Sequence, residues 1–366
     1  MNSKFLSMLC CPLCHGSLTS IAFPRNGGAS DGSRAPASGE DAGDGILVCR
    51  CGMTFPVIEG VPRLIEKGLL AFPQFVRTYR DKLTVSHALA DMSSDPGGGE
   101  PMDEYDKIRA AYSMTWNLFD YTGDKTWGWT IEDRKRVFLD DIGLRAEDLR
   151  GKCLLDAGCG NGTLTAAISS LGAEVVGIDL NDGLGSANRS KAHYAGGFQE
   201  NVYYVQGNLF RPPLNAEMFD LIYCSGAVHR TPDPQGTFKK LVPLLKKNGR
   251  LHVWVSRRRG SVVGSLKRCA YKLTRPMSLD GRLKACRAVA PFYKAGTGAA
   301  NALGIAKFRK RTVREITLDL CDSLAPEYAS AHTEDEVQGW FREQGFRNIT
   351  VAGRQKHGFG VNGDKT

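Results

Sequence analysis

Three glycines at alternate positions, Gly158, Gly160 and Gly162, follow an apolar run that ends in Leu154 and Leu155, and a helical pattern (TLTAAISSLG) begins at Thr163. A strand that turns this abruptly into a helix needs glycine, because positive φ and close approach of a ligand both exclude a Cβ. The helix start leaves backbone N–H groups free for that ligand. Two chemistries compete for such a loop. A dinucleotide site requires G-x-G-x-x-G, and here Thr163 occupies the last glycine position. Asp156 stands two residues before the first glycine. An acid there suits a ligand carrying an amine and a sulfonium better than a pyrophosphate.

The stretch LLDAGCGNGTLT, residues 154–165, resembles motif I of the class I S-adenosylmethionine (SAM) methyltransferases, and the chain resembles their type 11, UbiE-like group. The downstream order agrees. EVVGIDL, residues 174–180, ends in Asp179, which a doubly wound sheet places at its carboxyl edge beside the first loop. That carboxylate can accept both ribose hydroxyls, each charge-assisted bond being worth about 1.5–3 kcal/mol. In VYYVQGNLF, residues 202–210, such enzymes often carry an acid after the glycine to hold the adenine amino group; this chain has Asn208, whose side-chain oxygen is expected to accept that bond without the charge. MFDLIYCSGAVHRTPDP, residues 218–234, resembles motif IV and the loop after it, and DPQGTFKKLVPLLKKNGRLHVWV reads as helix, turn at Gly249 and fifth strand. The resemblance implies an α/β fold, a Rossmann-like sheet with helices on both faces. It places cofactor contacts at Asp156, Gly158, Cys159, Gly160, Asn161, Gly162, Asp179, Leu180, Asn208, Leu209 and Ser225.

A second chemistry sits at the N-terminus. Cys10, Cys11 and Cys14 lie at one end of the leading segment and Cys49 and Cys51 at the other. CPLC is a zinc-knuckle spacing, in which two thiolates grip one ion; the second pair, Cys-Arg-Cys-Gly, is one residue short of it. The ligand set is read as Cys11, Cys14, Cys49 and Cys51, with Cys10 or His15 as substitute. With FPVIEGVPRLI after it, the segment resembles the small zinc ribbons of the Trm112 type and the ribbon preceding some bacterial rRNA guanine methyltransferases. A unit this small cannot bury enough surface alone, and a structural zinc ion would contribute to its folding. Residues 24–45 are Gly, Ser, Ala and Asp with almost no apolar content, as in a disordered loop between the knuckles.

These sites need a frame to hold them. Residues 1–66 are read as the ribbon, 67–103 as a partly helical connector with a flexible linker (SSDPGGGEP, 93–101), and 104–366 as the methyltransferase domain. DEYDKIRAAYSMTWNLFD and WTIEDRKRVFLDDIGL form two helices before the first strand. The resemblance makes this segment a cap over the cofactor and a wall of the acceptor pocket, with Tyr112, Trp116, Trp127 and Trp129 as its rings and TGDKTWGW as the best pocket stretch. Tyr328 and His332 stand at the pocket mouth. His229, just past the fourth strand, is the candidate general base, since an unperturbed imidazole titrates near neutral pH.

After the fifth strand comes an insertion, residues 257–322, with sixteen Lys or Arg against four acids, a surplus of +12 that exceeds the +9 of the whole chain. Val262, Leu266, Cys269 and Leu273 recur at helical spacing opposite Lys267, Arg268 and Lys272, as in a lid helix with one apolar face. The basic patch fits an anionic small substrate, RNA phosphates or an anionic membrane surface. The reading adopted is a SAM-dependent transfer to a small molecule, an anionic compound or specialised metabolite. Transfer to an rRNA or tRNA base is the alternative. Residues 1–66 carry five basic against six acidic side chains, a poor nucleic-acid surface. No run of eighteen apolar residues and no signal-like leader appear, so a cytoplasmic enzyme with reduced cysteines is expected. SAM and structural Zn2+ are the expected cofactors.

Overall fold

A computed structural model describes residues 2–23, 43–85, 104–119, 121, 123, 125–258, 273–274, 276–305, 307–324, 327–353, 355 and 357–366. Residues 24–42 of the low-complexity loop, the linker 93–101 and Arg259, Val262, Leu266, Lys267, Arg268, Cys269 and Lys272 of the lid lie outside the described residues. The N-terminal part contributes α1 (Ser3–Met8), β1 (Leu18–Ala22), β2 (Gly45–Cys49), β3 (Thr54–Ile58), β4 (Val61–Leu64), α2 (Pro73–Thr78) and α3 (Arg80–Val85). Then follow α4 (Glu104–Asn117), α5 (Ile131–Ile142), β5 (Cys153–Ala157), α6 (Thr163–Ser169), β6 (Glu174–Asp179), α7 (Leu184–Tyr194), β7 (Val202–Gly207), β8 (Phe219–Ser225), α8 (Pro234–Leu241) and β9 (Leu245–Ser256). The insertion supplies α9 (Leu279–Ala302) and α10 (Val313–Leu324), and the chain ends with α11 (Glu334–Glu343), β10 (Arg347–Ala352) and β11 (Gly358–Asp364).

Local signals account for the boundaries. Thr130 and Asp133 close a capping box at the start of α5, and Gly143 ends that helix at φ 63°. Thr333 and Glu336 do the same for α11, and Asp233 with Pro234 starts α8. Strand β5 is buried at every position, as a parallel strand covered on both faces must be. The chain bends tightly at Gly249, where a Cβ would lie 2.8 Å from the Leu245 Cγ and 3.0 Å from the Lys246 carbonyl oxygen, as the expected turn requires. Helix α8 stops at Leu241 before Pro243, and β9 runs unbroken from Leu245. Its register against β8 slips between Phe219 and Leu221, and Asn248 takes φ 61°, so the extra residues form a bulge inside the strand.

Among the described residues the sheet order is β1-β2-β3-β4-β7-β6-β5-β8-β9-β11-β10. From β7 to β9 the neighbours are parallel, and β11 returns antiparallel beside β9. This is the expected Rossmann-like sheet, doubly wound from β5. The N-terminal strands are its continuation. Strand β4 pairs in parallel with β7, Arg63 opposite Gln206 and Leu64 opposite Gly207. Phe5, Met8, Leu47 and Phe55 share one buried cluster with Val205, Leu214 and Ile222, and the Phe5 ring stacks on Tyr203 at 4.6 Å. Residues beyond 66 belong to the same packing: Leu69, Phe72, Phe75 and Leu83 close a core with Phe23, Ile46 and Ile65. Among the described residues no helix is long and apolar enough to cross a membrane.

Arg63 holds the junction. It is 4% exposed, and its Nη1 donates to the Gln206 Oε1 at 3.2 Å and to the Asp182 carbonyl at 3.3 Å. Asp182 in turn accepts from Gln206 Nε2, from Arg109 Nε and from Ser113 Oγ, the last two on α4. Arg63→Ala leaves the Gln206 and Asp182 oxygens without this donor, and each buried unpaired acceptor costs about 1–3 kcal/mol. Urea denaturation of the variant is expected to show a loss of that size; an unchanged midpoint would remove Arg63 from the junction's energetics.

Candidate active site

Strand β5 delivers the chain into the glycine loop at the carboxyl edge. The loop is held from behind: Gly158 and Cys159 donate to the Ile178 carbonyl at 2.8 and 3.1 Å. Gly158, Gly160 and Gly162 have φ of 82°, 58° and 71°. A Cβ on Gly158 would lie 2.3 Å from the Ala227 Cβ, one on Gly162 would lie 2.6 Å from the Tyr204 ring, and one on Gly160 would lie 3.0 Å from the Trp116 ring. Cys159 is buried, and Asn161 spans from Thr163, whose N–H and hydroxyl it accepts, to the Thr126 hydroxyl.

Two carboxylates flank the loop. Asp179 ends β6; its Oδ2 accepts from the Gly160 N–H at 2.8 Å and its Oδ1 from the Asn181 backbone and side chain. Burial pushes its pKa up against those donors. Asp156, 5% exposed on β5, accepts from the Thr165 hydroxyl at 2.6 Å. Burial raises it to about 6, and the Thr165 bond and the Arg134 guanidinium act against that rise. Arg134, on α5, donates to the Thr163 hydroxyl at 2.7 Å. Nothing in its local sequence marked it, because it reaches the loop from a separate helix.

One strand further out, the Asn208 amide is held on both sides. The Asn208 side-chain oxygen accepts from the Phe210 N–H at 3.0 Å, and its amide nitrogen donates to the Glu66 Oε1 at 3.1 Å. Glu66, from the N-terminal part, is the residue that sequence reasoning missed. Leu180 packs against the cluster that contains Ile65 and Phe72, and Leu209 is buried. Ser225 ends β8 opposite Trp254.

The acceptor side lies after β8. His229 is 3% exposed, with its ring 5.9 Å from that of Trp254. Its carbonyl accepts from the Ser330 N–H and hydroxyl, and its Nδ1 is buried with no hydrogen-bond partner. Burial, then Arg230 and His332, push its pKa well below 6.5, so the ring is neutral at pH 7. Arg230 is clamped in two-pronged fashion on Asp322 of α10, both bonds at 2.9 Å, beside the buried Tyr112. A small depression lies between the cap and α10, lined by Trp116, Phe119, Lys125, Thr126, Trp127, Leu318, Asp319 and Asp322. Trp129 lies under the Arg309 guanidinium, 3.6 Å from its ring centroid. His332 has both nitrogens engaged, by the Ser330 hydroxyl at 2.8 Å and Glu336 at 3.4 Å, and Tyr328 is half-buried in the same segment.

Much of the insertion's charge is answered within the chain. Arg257 and Arg258 pair with Glu334 and Glu336, Arg311 with Asp319, Arg282 with Glu327 and Lys284 with Asp280. At the other end, the sulfurs of Cys11, Cys14, Cys49 and Cys51 all lie within 4.8 Å of one another. Four thiolates about 2.3 Å from one tetrahedral ion require such a cluster, so the residues fit a zinc ion. Cys10 lies apart with its sulfur 3.7 Å from the His15 Nδ1, and burial pushes it up to about 11.

Comparison with known proteins adds a family. Residues 155–253 match the family described as a methyltransferase domain, and residues 2–60 match Trm112p-like protein. A ubiquinone biosynthesis O-methyltransferase of Coxiella burnetii is 34% identical over 103 residues, 28% of this chain and 43% of that protein. The ubiquinone/menaquinone biosynthesis C-methyltransferase UbiE of Photorhabdus laumondii is 27% identical over 175 residues, 47% of this chain and 65% of that protein. The chain thus spans less than two thirds of the length of either relative. Magnesium protoporphyrin IX methyltransferase of Synechocystis PCC 6803, a solved structure, is 14% identical with a TM-score of 0.38, over 80% of this chain and 100% of that one. Two segments of the chain are thus matched, residues 2–60 to a Trm112p-like family and residues 155–253 to a methyltransferase domain.

Proposed function

We propose that this chain transfers a methyl group from SAM to a small molecule. The observation that carries the reading is the pairing of three positive-φ glycines with the Asp179 carboxylate at the adjoining carboxyl ends of β5 and β6. The loop gives a ligand close access to backbone, and Asp179 offers acceptors for a ribose. Asp156 adds a negative charge near the loop for an amine or a sulfonium. When bound, SAM supplies a methyl group already activated on positive sulfur. The protein's part is alignment, and holding two reactants in line is worth about 7–11 kcal/mol. A titration of the full-length protein with SAM should show binding that Asp179→Ala reduces at least tenfold; equal affinity would discard the ribose assignment. The same titration should weaken as pH falls through about 6. Asp156 is charged above that value and neutral below it, so acid removes its attraction for the cationic ligand.

The acceptor best supported is an aromatic hydroxyl compound. Trp116, Phe119, Trp127 and Leu318 place aromatic and apolar groups beside Lys125, Thr126, Asp319 and Asp322, and the ubiquinone biosynthesis O-methyltransferase named above agrees in kind. Transfer to a hydroxyl oxygen would leave a proton that a base must take up. His229, in the loop after β8, is the candidate to take that proton, and its buried Nδ1 has no hydrogen-bond partner among the described residues. General-base catalysis is worth about 10²–10⁴-fold, so His229→Ala is expected to lower kcat by that factor at an unchanged SAM affinity. A kcat within twofold of the parent would reduce His229 to a packing role. The internal pairing of the insertion's cations argues for this class of acceptor rather than RNA.

Cys11, Cys14, Cys49 and Cys51 would hold one structural zinc ion. It would contribute about 10–16 kcal/mol of apparent binding energy to folding. Elemental analysis should find about one zinc per chain and much less in Cys14→Ser; purified protein that is folded and free of zinc would refute the assignment.

A further inference from the structure

The most informative contact outside the cofactor loop joins residues 142 positions apart, Glu66 and Asn208. Because β4 runs parallel to β7 and β7 to β6, the carboxyl ends of these three strands lie side by side. Asp179, Asn208 and Glu66 follow one another along that edge. Glu66 is fixed from both sides. Arg63 anchors the strand behind it, and Lys67 ahead of it pairs with Asp106 on α4 at 2.5 Å. Its Oε1 accepts from the Asn208 amide, which turns the carboxylate toward the edge. The Asn208 oxygen is engaged by Phe210 and its nitrogen can only donate. The Asn208 oxygen keeps one lone pair, and the stronger, charged acceptor at this point of the edge is Glu66.

This inference rests on the reading that a SAM nucleoside occupies the crevice. With its ribose on Asp179, the base extends over the next strand end, between Leu180 and Leu209. An adenine presents there an exocyclic amino group that must donate. We propose that the Glu66 carboxylate accepts that amino group, so that the N-terminal part, just past its Trm112p-like segment, supplies a base-specificity residue to the methyltransferase site. The N-terminal unit would then be part of the cofactor pocket as well as a neighbour of it.

Discrimination between two products tests this. S-adenosylhomocysteine carries the amino group, and S-inosylhomocysteine has a carbonyl oxygen in its place, which would face Glu66 acceptor to acceptor. Calorimetry on the full-length protein should show the adenosyl compound binding about 10- to 100-fold more tightly, the range of one hydrogen bond to a charged group. Glu66→Gln keeps the size and the bond to Asn208 but can also donate, and it should bring the ratio to within about threefold. Glu66→Asp draws the carboxylate back by one methylene and should give an intermediate ratio. Asp179→Ala should weaken both ligands and leave their ratio as in the parent. A ratio unaltered in both Glu66 variants overturns the role of Glu66 while the cofactor site stands. Parent protein that binds neither compound overturns the cofactor reading and this inference with it. A purely structural Glu66 would change melting temperature and affinity for both ligands together, without changing the ratio.

Discussion

A buried guanidinium organises the junction on which the site is built. Arg63 carries its charge into the sheet edge, where burial lowers its pKa only to about 10, so it stays ionised at neutral pH. A charge in that position persists only when it is hydrogen-bonded. Gln206 and the Asp182 carbonyl do this, and Asp182 passes the constraint to Arg109 and Ser113 on α4. One network therefore sets strand β4 beside β7, shapes the loop after β6 and positions the helix whose Trp116 covers Gly160.

The same principle of paired burial orders the other side of the crevice. Arg230, in the loop after β8, is held by Asp322 of α10. This ties the insertion to the catalytic edge and brings Leu318 and Asp319 to the depression. Breaking such a pair leaves an uncompensated charge, which is why its value lies in registry more than in net stability. On the sheet's own side, Asp156 sits near Arg134 without touching it, and burial leaves it close to half-ionised at pH 6.

The insertion shows how charge counted along a chain differs from charge offered to a partner. Its surplus of +12 suggested a phosphate-binding surface. Folding spends several of those cations on Glu334, Glu336, Glu327 and Asp319, and one on the face of Trp129. Three of those acids lie outside the insertion, where a local count does not include them. Lys307 and Lys310 remain exposed beside Leu303, Ile305 and Phe308.

Features governed by near neighbours were legible in the residues alone. Backbone sterics make the glycine loop readable from its spacing, apolar runs mark the strands β5 to β9, and caps at Thr130, Asp233 and Thr333 mark their helices. Two-residue knuckle spacing likewise pointed to the cysteines that cluster. The turn at Gly249 was legible as well, but the register slip it makes against β8 was not. What tertiary structure decided are contacts whose partners are distant in sequence: Glu66 with Asn208 at 142 positions, Arg63 with Gln206 at 143, Arg230 with Asp322 at 92. A side chain's local pattern records its propensity and its face. It holds no record of which remote group will meet it once parallel strands are laid edge to edge, and here that meeting determines which residues stand at the site.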